Sequence, residues 1–145
     1  MNPILEYNEK IKNKEIIVSK KVAKIYNYLS EIISGKIESN YYFDETRANH
    51  AIIFIERYCK HSKGKWANKP VKLELWQKAF VAAIFGIINK ETNFRRFKEA
   101  LLIVGKKNGK SLLASAIALY TFIPKYPFTN ATFPFTSLLH TSLSA

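Results

Sequence analysis

Apolar side chains recur at helical intervals through the first part of the chain and mark out three helices. In the lysine-rich residues 3–37, Val22, Ile25, Tyr26, Leu29, Ile32 and Ile33 fall on one stripe. Ser19 stands where an N-cap hydroxyl would start that helix, and Gly35 where the helix would end. Asp44 is placed to cap a second helix running to about Lys60. Its apolar face is Ala48, Ile52, Ile55 and Tyr58, widened by Ala51, Ile53 and Phe54. Residues 73–88 predict a third helix, apolar on most sides and therefore buried. Stripes of this kind are packing surfaces, and no chemistry is assigned to them.

The pattern then changes. Residues 60–70 read KHSKGKWANKP, a basic loop that contains Trp66, and residues 89–93 form a polar turn. Residues 97–104, ending in Ala-Leu-Leu-Ile-Val, have the length and composition of a buried strand. A glycine-containing loop follows at 105–111, then a helix over about 110–122. Beyond Lys125 no charged residue occurs, and Pro124, Pro127 and Pro134 break any regular pattern. The expected organisation is a helical region (1–70), the start of a sheet-based domain (71–123) and an aberrant or disordered tail (124–145). An ordinary apolar edge segment is the competing reading of that tail.

Composition narrows the picture without deciding it. Hydrophobic residues make up 48% of the 145, enough for a core. The net charge is +12, from 23 Lys and Arg against 11 Asp and Glu. Such an excess suits nucleic acid or a phosphate-rich ligand, with solvated lysines as the alternative. The single cysteine, Cys59, excludes an intramolecular disulfide and reads as a buried, inert thiol. The longest apolar run, 79–88, is too short to span a bilayer, so no membrane is expected. The expected compartment is the cytoplasm. His50, His61 and His140 are not at metal-ligand spacings to one another.

The loop carries the most specific chemistry. Residues 104–111 read Val-Gly-Lys-Lys-Asn-Gly-Lys-Ser, and Gly109, Lys110 and Ser111 match the end of the phosphate-loop pattern G-x-x-x-x-G-K-[ST]. Glycine at 109 lets backbone N–H groups close around phosphate oxygens. Lys110 brings an ammonium to the β and γ phosphates, and the Ser111 hydroxyl is suited to ligate Mg²⁺. The helix starting there points its N-terminal dipole at the anion. Val104 stands where the pattern has its first glycine. The apolar strand before and the small-residue helix after, Leu112 to Ala118, supply the context such a loop requires.

Five stretches in order then resemble the terminase large subunit of tailed bacteriophages. They are Tyr42-Phe43-Asp44-Glu45; Phe54-Ile55-Glu56 with His61-Ser62-Lys63-Gly64; Leu73-Glu74-Leu75-Trp76-Gln77; Phe85-Gly86 with Arg95-Arg96-Phe97; and the loop itself. The resemblance covers about residues 22–122. It implies an α/β fold, here an incomplete P-loop NTPase parallel-sheet domain preceded by an α-helical region. It also implies ATP and Mg²⁺ as cofactors and DNA, a small terminase subunit and the capsid portal as partners. Gly105, Lys106, Lys107, Asn108, Gly109, Lys110 and Ser111 would bind the nucleotide, with Trp76 and Gln77 near the adenine. For Trp76 core packing competes with that role, and for Gln77 a solvated helix surface does. The host cytoplasm is the implied location.

The family's motor and nuclease need carboxylates that this sequence does not supply after its loop. The last acidic residue is Glu99, so no Mg²⁺-holding or water-orienting acid follows Ser111. The expected product is a truncated fragment that binds nucleotide without hydrolysing it. Two other readings compete: a basic nucleic-acid-binding module in which the lysine turn contacts backbone phosphates, and a non-enzymatic interaction fragment. The 60–69 loop, with Trp66 as a stacking face, and Arg95 and Arg96 are candidates for DNA phosphate contact, against a solvated loop anchored by a packed tryptophan.

Overall fold

A computed structural model describes residues 2–61, 65, 67–105 and 108–122. Trp66, Lys106, Lys107, His140 and the tail discussed above lie outside the described residues. The elements are α1 (Pro3–Lys12), α2 (Lys20–Ile33), β1 (Tyr41–Phe43), α3 (Glu45–Tyr58), α4 (Leu75–Gly86), β2 (Ile87–Asn89) and α5 (Lys110–Phe122).

Local chemistry sets most of the helix ends. Asn2 caps α1 by accepting from the Ile4 N–H at 2.9 Å, with Pro3 at the first helical position, where no N–H is needed. Ser19 Oγ accepts from the Val22 N–H at 3.3 Å, so α2 starts where the sequence places it. It stops at Gly35, whose φ of 66° lets Lys36 N–H reach back to the Glu31 carbonyl at 2.9 Å. Asp44 Oδ1 accepts from the Arg47 N–H at 3.0 Å and caps α3. The same Asp44 holds Arg47 Nε at 3.1 Å, while Arg47 donates to the Asn93 carbonyl and to Asn93 Oδ1, both at 3.0 Å. This arginine thereby ties the first turn of α3 to the turn after β2.

The centre of the core is α4, which packs against α3 on one side and α1 on another. Every residue from Val81 to Ile88 is buried. The other helices bury narrower stripes: Tyr26, Leu29 and Ile32 of α2, and Ala48, Ala51, Ile52, Phe54 and Ile55 of α3. Ile25, Ile53 and Tyr58, which the hydrophobic stripes included, are exposed. Six apolar residues on α2 and seven on α3 exceed what one contact surface covers, and some positions are left in water. Cys59 is buried at the end of α3, and burial pushes its thiol up.

Two expectations fail in instructive ways. The third helix does not run to 88 but ends at Gly86, and Ile87–Asn89 becomes β2, antiparallel to β1 with Tyr42 opposite Ile88. Gly86 has room for nothing larger, since a Cβ there would lie 2.6 Å from Phe43 Cε2 and 2.9 Å from the Ala48 methyl. Its carbonyl accepts from the Asp44 N–H at 2.7 Å, and the two β-branched residues after it continue as a strand. The strand expected over 97–104 does not form, and no parallel sheet is present among the described residues; the one sheet is the two-stranded β1–β2. Leu101 and Ile103 are 74% and 83% exposed, while Leu102 packs against the core. Residues 101–104 therefore alternate as extended chain does, but among the described residues no neighbouring strand forms a ladder with them.

The ring of Tyr26 meets Tyr7 edge-on, with centroids 4.8 Å apart, and joins α1 to α2. Burial, reinforced by Tyr7, holds the Tyr26 phenol well above its ordinary value of 10.0. A folded-state value above the unfolded one means that this stabilisation is complete below the unfolded value and is lost as pH rises past it. Denaturant melts at rising alkaline pH should therefore lose about 1.4 kcal/mol per pH unit from this group above pH ~10. Tyr26→Phe should flatten that part of the profile, and an unchanged slope would contradict the assignment.

Candidate phosphate-binding loop

The loop is built between the extended segment ending at Gly105 and the first turn of α5. Asn108 Nδ2 donates to the Gly105 carbonyl at 3.3 Å and closes the turn. Gly109 has a φ of 69°, a left-handed conformation that side chains rarely adopt. Its carbonyl accepts from the Leu113 N–H at 2.9 Å, which makes Gly109 the cap of α5. The N–H groups that follow it stand in the first turn, ahead of the helical ladder. Lys110 and Ser111 are exposed there, and the first turn holds no acidic residue.

Gln77 reaches this loop from another element. It is 9% exposed, and its Oε1 accepts from the Glu74 N–H at 2.9 Å, helping to cap α4. Its Nε2 lies beside Gly109, 3.4 Å from where a Cβ on that glycine would stand. The start of α4 and the start of α5 thus meet through one amide. Trp76 is half-buried and packs against the core. Of the nucleotide-binding residues read from sequence, Gly105, Asn108, Gly109, Lys110, Ser111 and Gln77 come together.

The support beneath the loop was not legible in the sequence. Leu113, Ala116 and Tyr120 form the buried stripe of α5. Tyr120, 1% exposed, packs edge-on against Phe85 at 4.8 Å and lies 5.3 Å from Phe54 between ring centroids. Its hydroxyl is 2.8 Å from His50 Nδ1. Arg95 sits under the same cluster with its guanidinium 5.1 Å from the Phe85 centroid. Burial lowers its pKa and Tyr120 opposes that shift. The only hint of this arrangement was the helical interval of Leu113, Ala116 and Tyr120. Among the described residues no group of three or more His, Cys, Asp and Glu is arranged to hold a metal ion.

The segment from α4 through α5 is similar to a known family: residues 75–133 match the model of the terminase large subunit, ATPase domain. The terminase large subunit of Enterobacteria phage HK97 is 35% identical over 74 residues. That alignment takes in 51% of this chain and 14% of the phage protein, so the chain spans a small part of its relative's length. No solved structure matches the chain. The family match runs on to residue 133, across the prolines at 124 and 127.

Gly109→Ala separates conformation from space. Its methyl would meet only ordinary contact with Gln77, so the cost is that of the left-handed backbone, about 1–2 kcal/mol. We expect thermal unfolding to show a loss of that size, with nucleotide binding weakened as the loop shifts. A neutral effect on both would contradict the loop geometry.

Proposed function

We propose that this chain carries the ATP-binding part of a viral DNA-packaging motor, with residues 71–123 forming the start of its ATPase domain and residues 1–70 packed upon it. The observation that carries the proposal is Gly109, left-handed at the cap of α5, presenting Lys110 and Ser111 to solvent inside the terminase-matching segment. Backbone N–H groups around Gly109 would receive phosphate oxygens, with Lys106 and Lys107 adding charge from the loop. Lys110 would neutralise the β and γ phosphates, and Ser111 would hold Mg²⁺. The Gln77 oxygen is engaged in capping α4, which leaves its amide N–H groups to donate to a purine edge. Trp76, its neighbour on α4, would bound the base from the core side.

The wider role follows from the family match and the relative's printed name. DNA would be the transported substrate, with a small terminase subunit and the capsid portal as protein partners, in the host cytoplasm. Among the described residues no helix is long and apolar enough to cross a membrane.

Equilibrium binding of labelled ATP with Mg²⁺ tests the assignment. Lys110→Ala removes the charge facing the phosphates and should weaken binding by at least ~1.5 kcal/mol, about tenfold. Equal affinity in the two proteins would refute the phosphate-loop reading.

Turnover is a separate matter. No carboxylate occurs from residue 100 to residue 145, so the residues after the loop offer neither a second Mg²⁺ ligand nor a group to orient water. Acceleration of phosphoryl transfer comes from such positioning and charge. The 145-residue polypeptide assayed alone should bind ATP without releasing phosphate above background. Release that disappears in Lys110→Ala would overturn this expectation.

A further inference from the structure

A second basic surface starts at the N-terminus of α2 and leads toward Arg96, which lies just past the C-terminal end of α4. The first five residues of α2 include Lys20, Lys21 and Lys24, all exposed, with no acidic residue in the first turn. Cations at a helix N-terminus oppose the macrodipole and cost the helix about 0.3–1 kcal/mol each. None of the three forms a salt bridge among the described residues. Together with the dipole they make this end of α2 attractive to anions.

The row continues toward Arg96. Lys20, Lys24 and Tyr28 follow one another at four-residue intervals and share a helix face. At 1.5 Å per residue, Lys20 and Tyr28 are roughly 12 Å apart along the axis. The Tyr28 hydroxyl accepts from Arg96 Nη1 at 3.2 Å. The guanidinium of Arg96 lies 4.9 Å from the Tyr28 ring centroid, 4.5 Å from that of Tyr41 and 5.5 Å from that of Phe97. Among the described residues no carboxylate pairs with it. A guanidinium has five donors in a fixed plane, and three rings hold this one still, so its remaining donors are preorganised for an oxyanion. The one acid on α2, Glu31, accepts from Asn27 at 2.9 Å.

From this arrangement we infer that the outer face of α2, from Lys20, Lys21 and Lys24 to Arg96, is a contact surface for the phosphate backbone of duplex DNA. Duplex DNA presents a charge about every 1.7 Å along its axis, a density that a stiff row of cations matches. The aromatic rings are taken up by Arg96 and are not splayed for base stacking, so the contact is to the backbone and carries no sequence preference. Arg96 N–H donates to the Ile87 carbonyl at 2.8 Å, just past the C-terminal end of α4, whereas Gln77 and the loop stand at its N-terminal end. The twelve residues of α4 separate Arg96 from the loop. The inference extends the DNA-handling role proposed above but does not depend on nucleotide binding.

The test is fluorescence anisotropy of a labelled duplex of about 20 base pairs, titrated with the 145-residue chain at several salt concentrations. Two triple variants lose equal charge: Lys20→Gln with Lys21→Gln and Lys24→Gln, and Lys60→Gln with Lys69→Gln and Lys72→Gln. The α2 variant should bind at least ~10-fold more weakly and lose up to about 2.7 from the slope of log K against log salt, at 0.9 per phosphate contact. The second variant should stay within about threefold of the parent. Arg96→Gln should weaken binding too, whereas Arg96→Lys should keep the charge and lose the planar fork. Because Arg96 packs against three rings, its variants count only where circular dichroism is unchanged; the lysine variants decide the matter alone. Equal losses in the two triple variants would mean diffuse charge and overturn the inference. Polyglutamate competing as well as unlabelled duplex would point to an acidic protein and overturn it as well. Lys110→Ala should bind the duplex like the parent. Loss of ATP binding in that variant with the α2 effect intact would uphold both readings, and failure of either reading would show in its own assay.

Discussion

Tyr120 is the contact on which the geometry of the loop rests. A phosphate loop is only as well placed as the helix behind it, and α5 exposes apolar residues on much of its surface. Its fully buried stripe is Leu113, Ala116 and Tyr120, of which Tyr120 is the largest member, and Leu112 and Ile117 pack against the core beside it. The phenol combines an edge-on ring contact with Phe85, a tilted one with Phe54 and a hydroxyl contact with His50, so it touches α3 and α4 together. Aromatic pairs of this geometry contribute about 0.5–1.5 kcal/mol each beyond the area they bury. Without that anchor the first turn of α5 would have no fixed relation to Gln77, and the loop would lose its second wall.

Features governed by one residue and its near neighbours were legible in the sequence. Ser19 and Asp44 cap their helices where the pattern placed them, because a cap is decided by a side chain and an N–H two or three residues on. The Gly109-Lys110-Ser111 signature likewise states its own local geometry. Contacts between distant residues were not legible. His50 and Tyr120 are seventy positions apart, and nothing in the spacing of either points to the other.

The extended segment at 97–104 shows the limit in another form. Its composition is that of a buried strand, and the side chains of residues 101–104 do alternate between core and solvent. A strand is a relation between two chain segments, and the sequence could express only one of them. The end of α4 shows the converse. Its apolar run reads as helix through Ile88, yet Gly86 must sit against Phe43 and Ala48, and a partner strand stands ready at Tyr41–Phe43. Glycine followed by two isoleucines was the available signal, hidden by the hydrophobicity around it.

The adjacent arginines after β2 face opposite ways. Arg95 turns inward beneath Phe85 and Arg96 outward onto Tyr28 and Tyr41, as successive residues of an extended backbone must. Which of them faces inward is set by the length of the preceding turn, pinned by Arg47 on Asn93. A substitution in that turn leaves the parity of the chain intact. An insertion or deletion of one residue reverses it, exchanging the buried cation for the exposed one and setting both the aromatic cluster and the basic face out of register. The turn is therefore free in spelling but not in count.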